Sequence, residues 1–157
     1  MQSVLYFHGL ESQPGGLKVE YLNQNFDFVD APAMDYRKKD LFKDWLEYVK
    51  TEKPDLIIGS SMGGYFAYVL ASHTGIPVLL FNPALHNRSF DVEDVHLGKF
   101  KPKGKVVLGK KDNIIDPSIT KAMLKDSNLE IEEIEEMEHR IPLDIFINEI
   151  KNLFVLQ

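Results

Sequence analysis

A serine placed between two glycines is the feature of this sequence that most directly suggests chemistry. The letters GSSMG at residues 59–63 place glycine, serine and glycine at alternate positions, after an apolar run and before a helical pattern. A serine at such a strand-to-helix turn is exposed as a nucleophile, and the glycines leave room for the tight turn. Ser61 fits this spacing, whereas Ser60 would need glycine in place of Ile58. A plain turn of small residues is the alternative, but the flanking strand and helix favour a nucleophile.

A serine hydroxyl needs a neighbouring base, and histidine is the usual one. In proteins with this serine turn, the chain order is serine, acid, histidine. His139 fits that order, because it lies between the last strand candidate and the last helix, at the carboxyl end of the sheet where Ser61 also lies. We therefore predict that His139 is the general base. We expect His73 to be structural, and His86 and His96 to lie at the surface.

Two carboxylates follow the strand candidate at residues 105–109. Asp112 stands at the exit of that strand, from where it can reach the loop of His139. Asp116 directly precedes Pro117, a pair typical of a helix N-cap and first helical residue. We predict that Asp112 holds the imidazole in the required tautomer and that Asp116 caps a helix. The alternative assignment, with Asp116 as the acid, stays open at the level of sequence.

Backbone amides in two loops are candidates for binding the oxyanion that forms when serine attacks a carbonyl. One such donor follows the nucleophile, and the other comes from the loop after an early strand. The corresponding amides belong to Met62 and to Leu10, since the first strand candidate ends at His8 and Gly9. Gly9 lets the main chain turn inward. We expect His8 to orient this loop through hydrogen bonds more than to act as a second base.

Residues that follow two of the strand candidates are predicted to contact the substrate. These are His8, Gly9, Asn82 and Pro83. The chain continues with residues 84–103, its longest stretch without clear periodicity, which exceeds the roughly 4–6 residues of an ordinary connection and is a candidate cap or functional loop. Because little of the chain is left to build a lid, we expect an open, shallow site that accepts short acyl chains.

Alternating strands and helices are needed to position these residues. Four short runs are almost wholly apolar, which is typical of strands buried inside a parallel sheet, at residues 3–7, 55–59, 77–81 and 105–109. Two weaker strand candidates are residues 26–32 and 129–134, and the second is expected at a sheet edge. Helical patterns cover residues 14–24, 38–51, 62–73, 117–125 and 142–155. This order predicts an α/β fold with about six mostly parallel strands, helices on both faces and no large cap domain.

Composition narrows the class of protein. The 157 residues suggest a single domain, residues 1–157, and 44% hydrophobic with 27% charged residues is ordinary for a globular protein. A net charge of −6 argues against nucleic-acid binding. The absence of cysteine excludes a thiol nucleophile, and no metal-binding motif is present, so we expect neither metal nor cofactor. The first residues lack the features of a secretion signal, and no stretch is long enough to span a bilayer, so we expect a cytoplasmic protein.

Several motifs together resemble those of a known family. They are YFHGLESQPGGLK near the start, IIGSSMGGYFA, LLFNPAL, LGKKDNIIDP and, near the end, EHRI. In this order they are similar to the YqiA/YcfP-like small bacterial esterases of the α/β-hydrolase superfamily. The resemblance implies a minimal α/β-hydrolase fold and hydrolysis of carboxylic esters or thioesters, with Ser61, Asp112 and His139 as the triad. Glu138 stands where many α/β-hydrolases have glycine, and it either acts on the base or shapes substrate preference.

The sequence thus predicts a serine esterase that hydrolyses small esters or thioesters through an acyl-enzyme intermediate. Two other interpretations of the sequence stay open. One is an α/β-hydrolase-fold protein that binds a ligand or partner without catalysis, although such a protein would be expected to have lost one member of the Ser/Asp/His set. The other is an acyltransferase or peptidase on the same scaffold. Nothing in the sequence indicates the oligomeric state.

Overall fold

The structure is a computed structural model that describes residues 2–10 and 15–155. Within them it contains six strands: β1 (Ser3–Phe7), β2 (Phe28–Asp30), β3 (Leu56–Ser60), β4 (Val78–Phe81), β5 (Lys103–Gly109) and β6 (Asn128–Ile134). The helices of the same residues are α1 (Gly16–Asn25), α2 (Leu41–Glu52), α3 (Met62–Thr74), α4 (Pro117–Met123) and α5 (Leu143–Val155). Strands and helices alternate except between β4 and β5, as the sequence pattern predicted.

All six strands form one parallel sheet in the order β2-β1-β3-β4-β5-β6. The four nearly all-apolar runs occupy the central positions, because both of their faces are covered. The strand with alternating acidic residues, β6, lies at an edge, as predicted. In a parallel sheet all carboxyl ends meet at one edge, so the loops after β1, β3, β4, β5 and β6 converge there.

Two hydrophobic clusters fill the two sides of the sheet. On one side α2 and α3 pack against the strands, and Phe66 of α3 meets Phe7 and Tyr36 edge to face. On the other side α1 and α5 pack, and Phe146 of α5 lies against Tyr6 and Phe81. Edge-to-face contacts favour one arrangement of rings over others. Both faces therefore hold the sheet, and with it the ends of its strands, in a fixed position.

The observed boundaries differ from the predicted ones by a few residues. The helix predicted over 38–51 begins only at Leu41, because Asp40 takes a left-handed conformation with φ of 60°. The helix predicted over 14–24 begins at Gly16 in the structure, and residue 14 lies outside the described residues. The strand predicted over 26–32 shrinks to Phe28–Asp30. None of the helices in the described part of the chain has both the length and the hydropathy to cross a bilayer.

The stretch predicted to lack periodicity forms no helix or strand between β4 and β5. Its second half is fastened to α3 through Ser72, whose hydroxyl accepts a hydrogen bond from the Gly98 amide at 2.8 Å. The Ser72 carbonyl accepts another from the Phe100 amide at 2.8 Å. This segment therefore lies against the body of the molecule, and only its first part borders the cavity described below.

Candidate active site

Ser61 lies on the turn that joins β3 to α3, in a strained backbone conformation. Its φ is 54° and its ψ is −118°, a combination that costs a non-glycine residue roughly 1–3 kcal/mol. Hydrogen bonds hold it in place: the Ser61 amide donates to the Phe81 carbonyl at 3.0 Å, and the Ser61 carbonyl accepts from the Ala84 amide at 2.9 Å. The strain directs the hydroxyl out of the sheet at its carboxyl edge.

The glycines around Ser61 are required by close backbone contacts. A Cβ atom on Gly63 would lie 2.1 Å from the Phe7 carbonyl oxygen, and one on Gly59 would lie 2.3 Å from the Gly63 oxygen. A Cβ on Gly64 would lie 2.9 Å from Cβ of Pro83. Real Cβ atoms do not approach other atoms so closely, so only glycine lets α3 pack this near to β1 and β3. The glycine spacing read from the sequence thus has a steric cause.

Ser61, His139 and Asp112 meet at the carboxyl edge of the sheet. Nε2 of His139 lies 3.0 Å from Oγ of Ser61, and Nδ1 lies 2.8 Å from Oδ2 of Asp112. Because a carboxylate accepts but does not donate, Nδ1 carries the proton, and Nε2 is left to accept from the serine hydroxyl. The Asp112 side chain is fully buried, whereas one fifth of His139 is exposed to solvent. This arrangement can draw a proton from Ser61 while keeping the imidazole fixed.

The two candidate carboxylates have different surroundings. Oδ1 of Asp112 accepts hydrogen bonds from the Ile114 and Ile115 amides, both at 2.9 Å, which leaves Oδ2 directed at His139. Asp116 caps α4 instead, since its Oδ1 accepts from the Ser118 amide at 2.9 Å and from the Ser118 hydroxyl at 2.7 Å. These hydrogen bonds hold the pKa of Asp116 below its usual value. The geometry thus brings Asp112, and not Asp116, to the imidazole.

Asn82 ties together the loops that carry Asp112 and His139. Its amide nitrogen donates to the carbonyls of Glu138 at 3.1 Å and His139 at 2.9 Å, and its amide oxygen accepts from the Gly109 amide at 2.8 Å. The side chain is buried, and the backbone takes a left-handed φ of 41°, which asparagine tolerates better than most residues. The position of an asparagine directly after a buried strand is the one sequence feature that points to this structural role. The partners of its amide cannot be predicted from the sequence.

Three of the four residues predicted to contact substrate do not line the cavity. His8 and Asn82 are buried with their polar atoms already paired, and Pro83 is buried against Gly64. For these three the predicted direct contact is corrected, because the turns after β1 and β4 bend these residues inward against neighbouring main chain. Only Gly9 reaches the cavity wall.

His8 shapes the loop after β1, as expected from the sequence. Its Nδ1 lies 2.6 Å from the Gly9 carbonyl, and its Nε2 accepts from the Met34 amide at 3.0 Å. The Tyr36 hydroxyl donates to the His8 carbonyl at 2.5 Å. Since the ring is buried and both of its nitrogens are engaged, His8 is not placed to serve as a second base.

A cavity of about 810 Å³ opens over Ser61, a volume ordinary for a small-molecule site. Its wall includes Leu10 and Met62, the residues whose amides were predicted to bind an oxyanion, as well as Glu138. Met62 is the first residue of α3, so its N–H has no partner within the helix and lies at the positive end of the helix dipole. In the described part of the chain, no three His, Asp or Glu side chains converge as metal ligands.

The parallel sheet, its flanking helices and the serine turn form an α/β-hydrolase fold. The structure is similar to that of a protein of Xanthomonas campestris pv. campestris assigned to the α/β-hydrolase superfamily, with a TM-score of 0.73, 20% identity, and coverage of 100% of this chain and 99% of that one. It is also similar to a monoacylglycerol lipase of Paleococcus ferrophilus, with a TM-score of 0.72, 18% identity, and coverage of 98% and 93%. At such identities the likeness shows the fold.

The model of the family described as "Uncharacterised protein family (UPF0227)" matches residues 3–91, more than half of the chain. The chain belongs to the UPF0227 family. A UPF0227 protein of Vibrio cholerae is 26% identical to it, over 78% of this chain and 83% of the relative. The YqiA/YcfP-like family indicated by the sequence motifs is therefore confirmed, and so is the α/β-hydrolase fold that this resemblance implied.

Proposed function

We propose that this protein is a serine hydrolase that cleaves small carboxylic esters or thioesters. The observation that carries the proposal is the pair of short contacts of His139, 3.0 Å to Oγ of Ser61 and 2.8 Å to Oδ2 of Asp112. A ligand-binding protein has no need for a buried carboxylate that orients an imidazole toward a strained serine. Such an arrangement is typical of nucleophilic catalysis.

In the proposed first step, His139 takes the proton of Ser61 as the serine oxygen attacks the ester carbonyl. The imidazolium that forms is stabilised by the Asp112 carboxylate, which does not itself take the proton. His139 then gives the proton to the departing alcohol or thiol. The C–O or C–S bond breaks, and the acyl group remains on Ser61 as an ester.

The negative charge that develops on the carbonyl oxygen is held by the amides of Leu10 and Met62. Support for this role comes from the position of both residues on the cavity wall beside Ser61, and from the free N–H of the first residue of α3. Donors fixed in this way need no rearrangement during the reaction, and losing one typically lowers kcat by about 10²–10³-fold.

In the second step, water enters the cavity and His139 removes its proton as the water attacks the acyl-serine. The tetrahedral intermediate collapses, the carboxylic acid leaves, and the proton returns to Oγ of Ser61. Exposure of one fifth of the His139 side chain is consistent with access of water to this position.

The proposal includes a preference for short acyl chains. The segment between β4 and β5 contains no helix or strand, so it adds no regular cap over the serine that could enclose a long acyl chain. The structure of esterase PE8 is similar to this one, with a TM-score of 0.64, 12% identity, and coverage of 99% of this chain and 93% of that one, which supports esters as the proposed substrate class. Higher kcat/KM for a long-chain p-nitrophenyl ester than for the acetate or butyrate would contradict this preference.

Labelling with a fluorophosphonate probe tests the proposal. The probe should label the wild type and the Ser60→Ala variant, since Ser60 lies beside the nucleophile without taking part. It should not label Ser61→Ala, and it should label His139→Ala more slowly than the wild type. An unlabelled wild type, or labelling of Ser61→Ala, would refute the assignment.

A further inference from the structure

Two cations on the wall of the cavity form no ion pair with any described carboxylate. Lys18 on α1 and Arg140, the residue after His139, both line the cavity over Ser61. In the described part of the chain, no carboxylate lies within ion-pair distance of either one. The third cation of the wall, Arg88, is already engaged, because it contacts Asp91 at 2.9 Å and donates to the Ala84 carbonyl at 2.9 Å.

Lys18 is held in place by its surroundings. It is half-buried, and its Nζ lies 5.7 Å from the centre of the Phe146 ring, a cation–π distance. Burial and, next, the neighbouring Arg140 guanidinium hold the pKa of Lys18 below its usual value. Partial desolvation beside a second cation is unfavourable, and an anion placed between them would relieve it.

The charge of the cavity is opposite to that of the whole chain. The protein carries a net charge of −6, yet the described charged residues of the wall are three cations, Lys18, Arg88 and Arg140, and one carboxylate, Glu138. A concave site lined by one sign of charge attracts ligands of the other sign. A neutral ester would bring no anion to Lys18 and Arg140.

We infer that the substrate is an ester or thioester that also carries an anionic oxyacid group, a carboxylate or a phosphate, which binds between Lys18 and Arg140 while the ester carbonyl lies at Ser61. This inference rests on the proposed hydrolase function and adds the chemical class of its substrate. The cations act in binding and orientation, and the bond-breaking steps remain those of Ser61 and His139.

Paired charged and neutral esters test the inference. One arm compares mono-p-nitrophenyl succinate, with a carboxylate on the acyl side, with p-nitrophenyl butyrate. The other arm compares the butyryl ester of 4-hydroxyphenyl phosphate with the same ester after both phosphate oxygens are methylated. In at least one arm, wild-type kcat/KM should favour the charged ester by about tenfold, as expected for one ion pair with the half-buried Lys18 and a weaker one with the exposed Arg140, and added salt should reduce the ratio.

The charged-to-neutral ratio should fall towards one in Lys18→Met and in Arg140→Met. It should be retained in Lys18→Arg, and in Lys43→Met as a matched control on α2, outside the cavity wall. Circular dichroism verifies that each variant is folded, and Lys18→Gln replaces Lys18→Met if that variant is not. A wild-type ratio near one in both arms, or a ratio that persists in both cavity variants, would overturn the inference.

The test separates the inference from the function on which it rests. If no ester, charged or neutral, is hydrolysed, the proposed function is wrong, and anion binding is then measured directly by thermal unfolding. Succinate or inorganic phosphate should raise the melting temperature of the wild type and of Lys43→Met more than that of Lys18→Met. Equal shifts in all three proteins, or no shift, would overturn the anion site as well.

Discussion

Replacing Asn82 with aspartate tests how the loops of the acid and the base are held together. The substitution keeps the size of the side chain and its tolerance of the left-handed φ of 41°. It removes the two N–H donations to the Glu138 and His139 carbonyls and places a carboxylate oxygen against both. At about 0.5–1.5 kcal/mol for each lost hydrogen bond, with added repulsion between oxygens, we expect the free energy of unfolding to fall by roughly 2–4 kcal/mol.

The same substitution should lower kcat more than it changes KM. His139 follows directly on one of the freed carbonyls, and a displacement of its ring by about 1 Å can cost up to 10²-fold in rate. We therefore expect kcat for p-nitrophenyl butyrate to fall about 10–100-fold with KM nearly unchanged. A residue that contacted substrate would instead raise KM, so this split also tests the corrected position of Asn82.

A glycine and an alanine variant separate the effect of losing the Asn82 amide from the effect of the backbone conformation. Asn82→Gly removes the amide but accepts the positive φ without strain, whereas Asn82→Ala adds a penalty of about 1–2 kcal/mol for that conformation. Urea unfolding at constant m-value measures the free energy of unfolding of both variants, and steady-state kinetics measures their kcat. If Asn82→Asp unfolds at the wild-type urea concentration and keeps wild-type kcat, the reasoning that the Asn82 amide positions the base is refuted.

Three further substitutions probe the serine turn and a buried charge cluster. Ser61→Gly should be more stable to urea than Ser61→Ala by roughly 1 kcal/mol, because glycine takes the φ of 54° without strain; equal stability would argue against strain at this turn. Gly63→Ala should cost roughly 3 kcal/mol or more and lower the melting temperature, because its Cβ would lie 2.1 Å from a backbone oxygen; an unchanged melting temperature would contradict this close contact. Lys105 pairs with Glu132, and its Nζ lies 2.6 Å from Oε2 of Glu149. Lys105→Met should therefore lower the free energy of unfolding by roughly 2–3 kcal/mol at pH 7. This is less than for a fully buried pair, because Glu132 is partly exposed. Burial raises the pKa of Glu149 above 4.5, so the folded variant binds a proton more tightly than the unfolded chain does. The loss of unfolding free energy caused by Lys105→Met should therefore shrink as the pH is lowered towards 4.5. A larger loss at pH 5 than at pH 8, measured by urea unfolding, would contradict this pH dependence.

The order of elements and the candidates for serine, acid and histidine could be predicted from the sequence because both depend on local patterns. Apolar runs of four or five residues mark strands covered on both faces, and glycine spacing marks the serine turn. In a parallel sheet, residues that follow different strands must meet at one edge, whatever their separation along the chain. Ser61 and His139 are 78 positions apart, yet this topological rule sufficed to pair them.

Contacts between loops could not be predicted in the same way. The partner of His8 Nε2 and the three partners of the Asn82 amide are main-chain groups 26 to 57 positions away, and no side-chain pattern records which of these groups a loop will present. The sequence therefore suggested substrate contact for residues that the fold turns inward. The start of α2 differs from the predicted one for a related reason. The left-handed conformation of Asp40 makes the helix begin later in the chain, but it leaves the apolar pattern of the helix unchanged.

By itself, the sequence determined the alternation of strands and helices, the serine turn, and the order of serine, acid and histidine. These are set by the period of apolar residues and by which residue types a tight turn admits. Only the tertiary structure decided which carboxylate reaches the imidazole and which polar residues tie the loops together. It also decided that Lys18 and Arg140 share a cavity wall and that neither pairs with a carboxylate of the described residues. Those outcomes depend on distances between loops from separate strands, which packing of the sheet against its helices sets and local sequence does not encode.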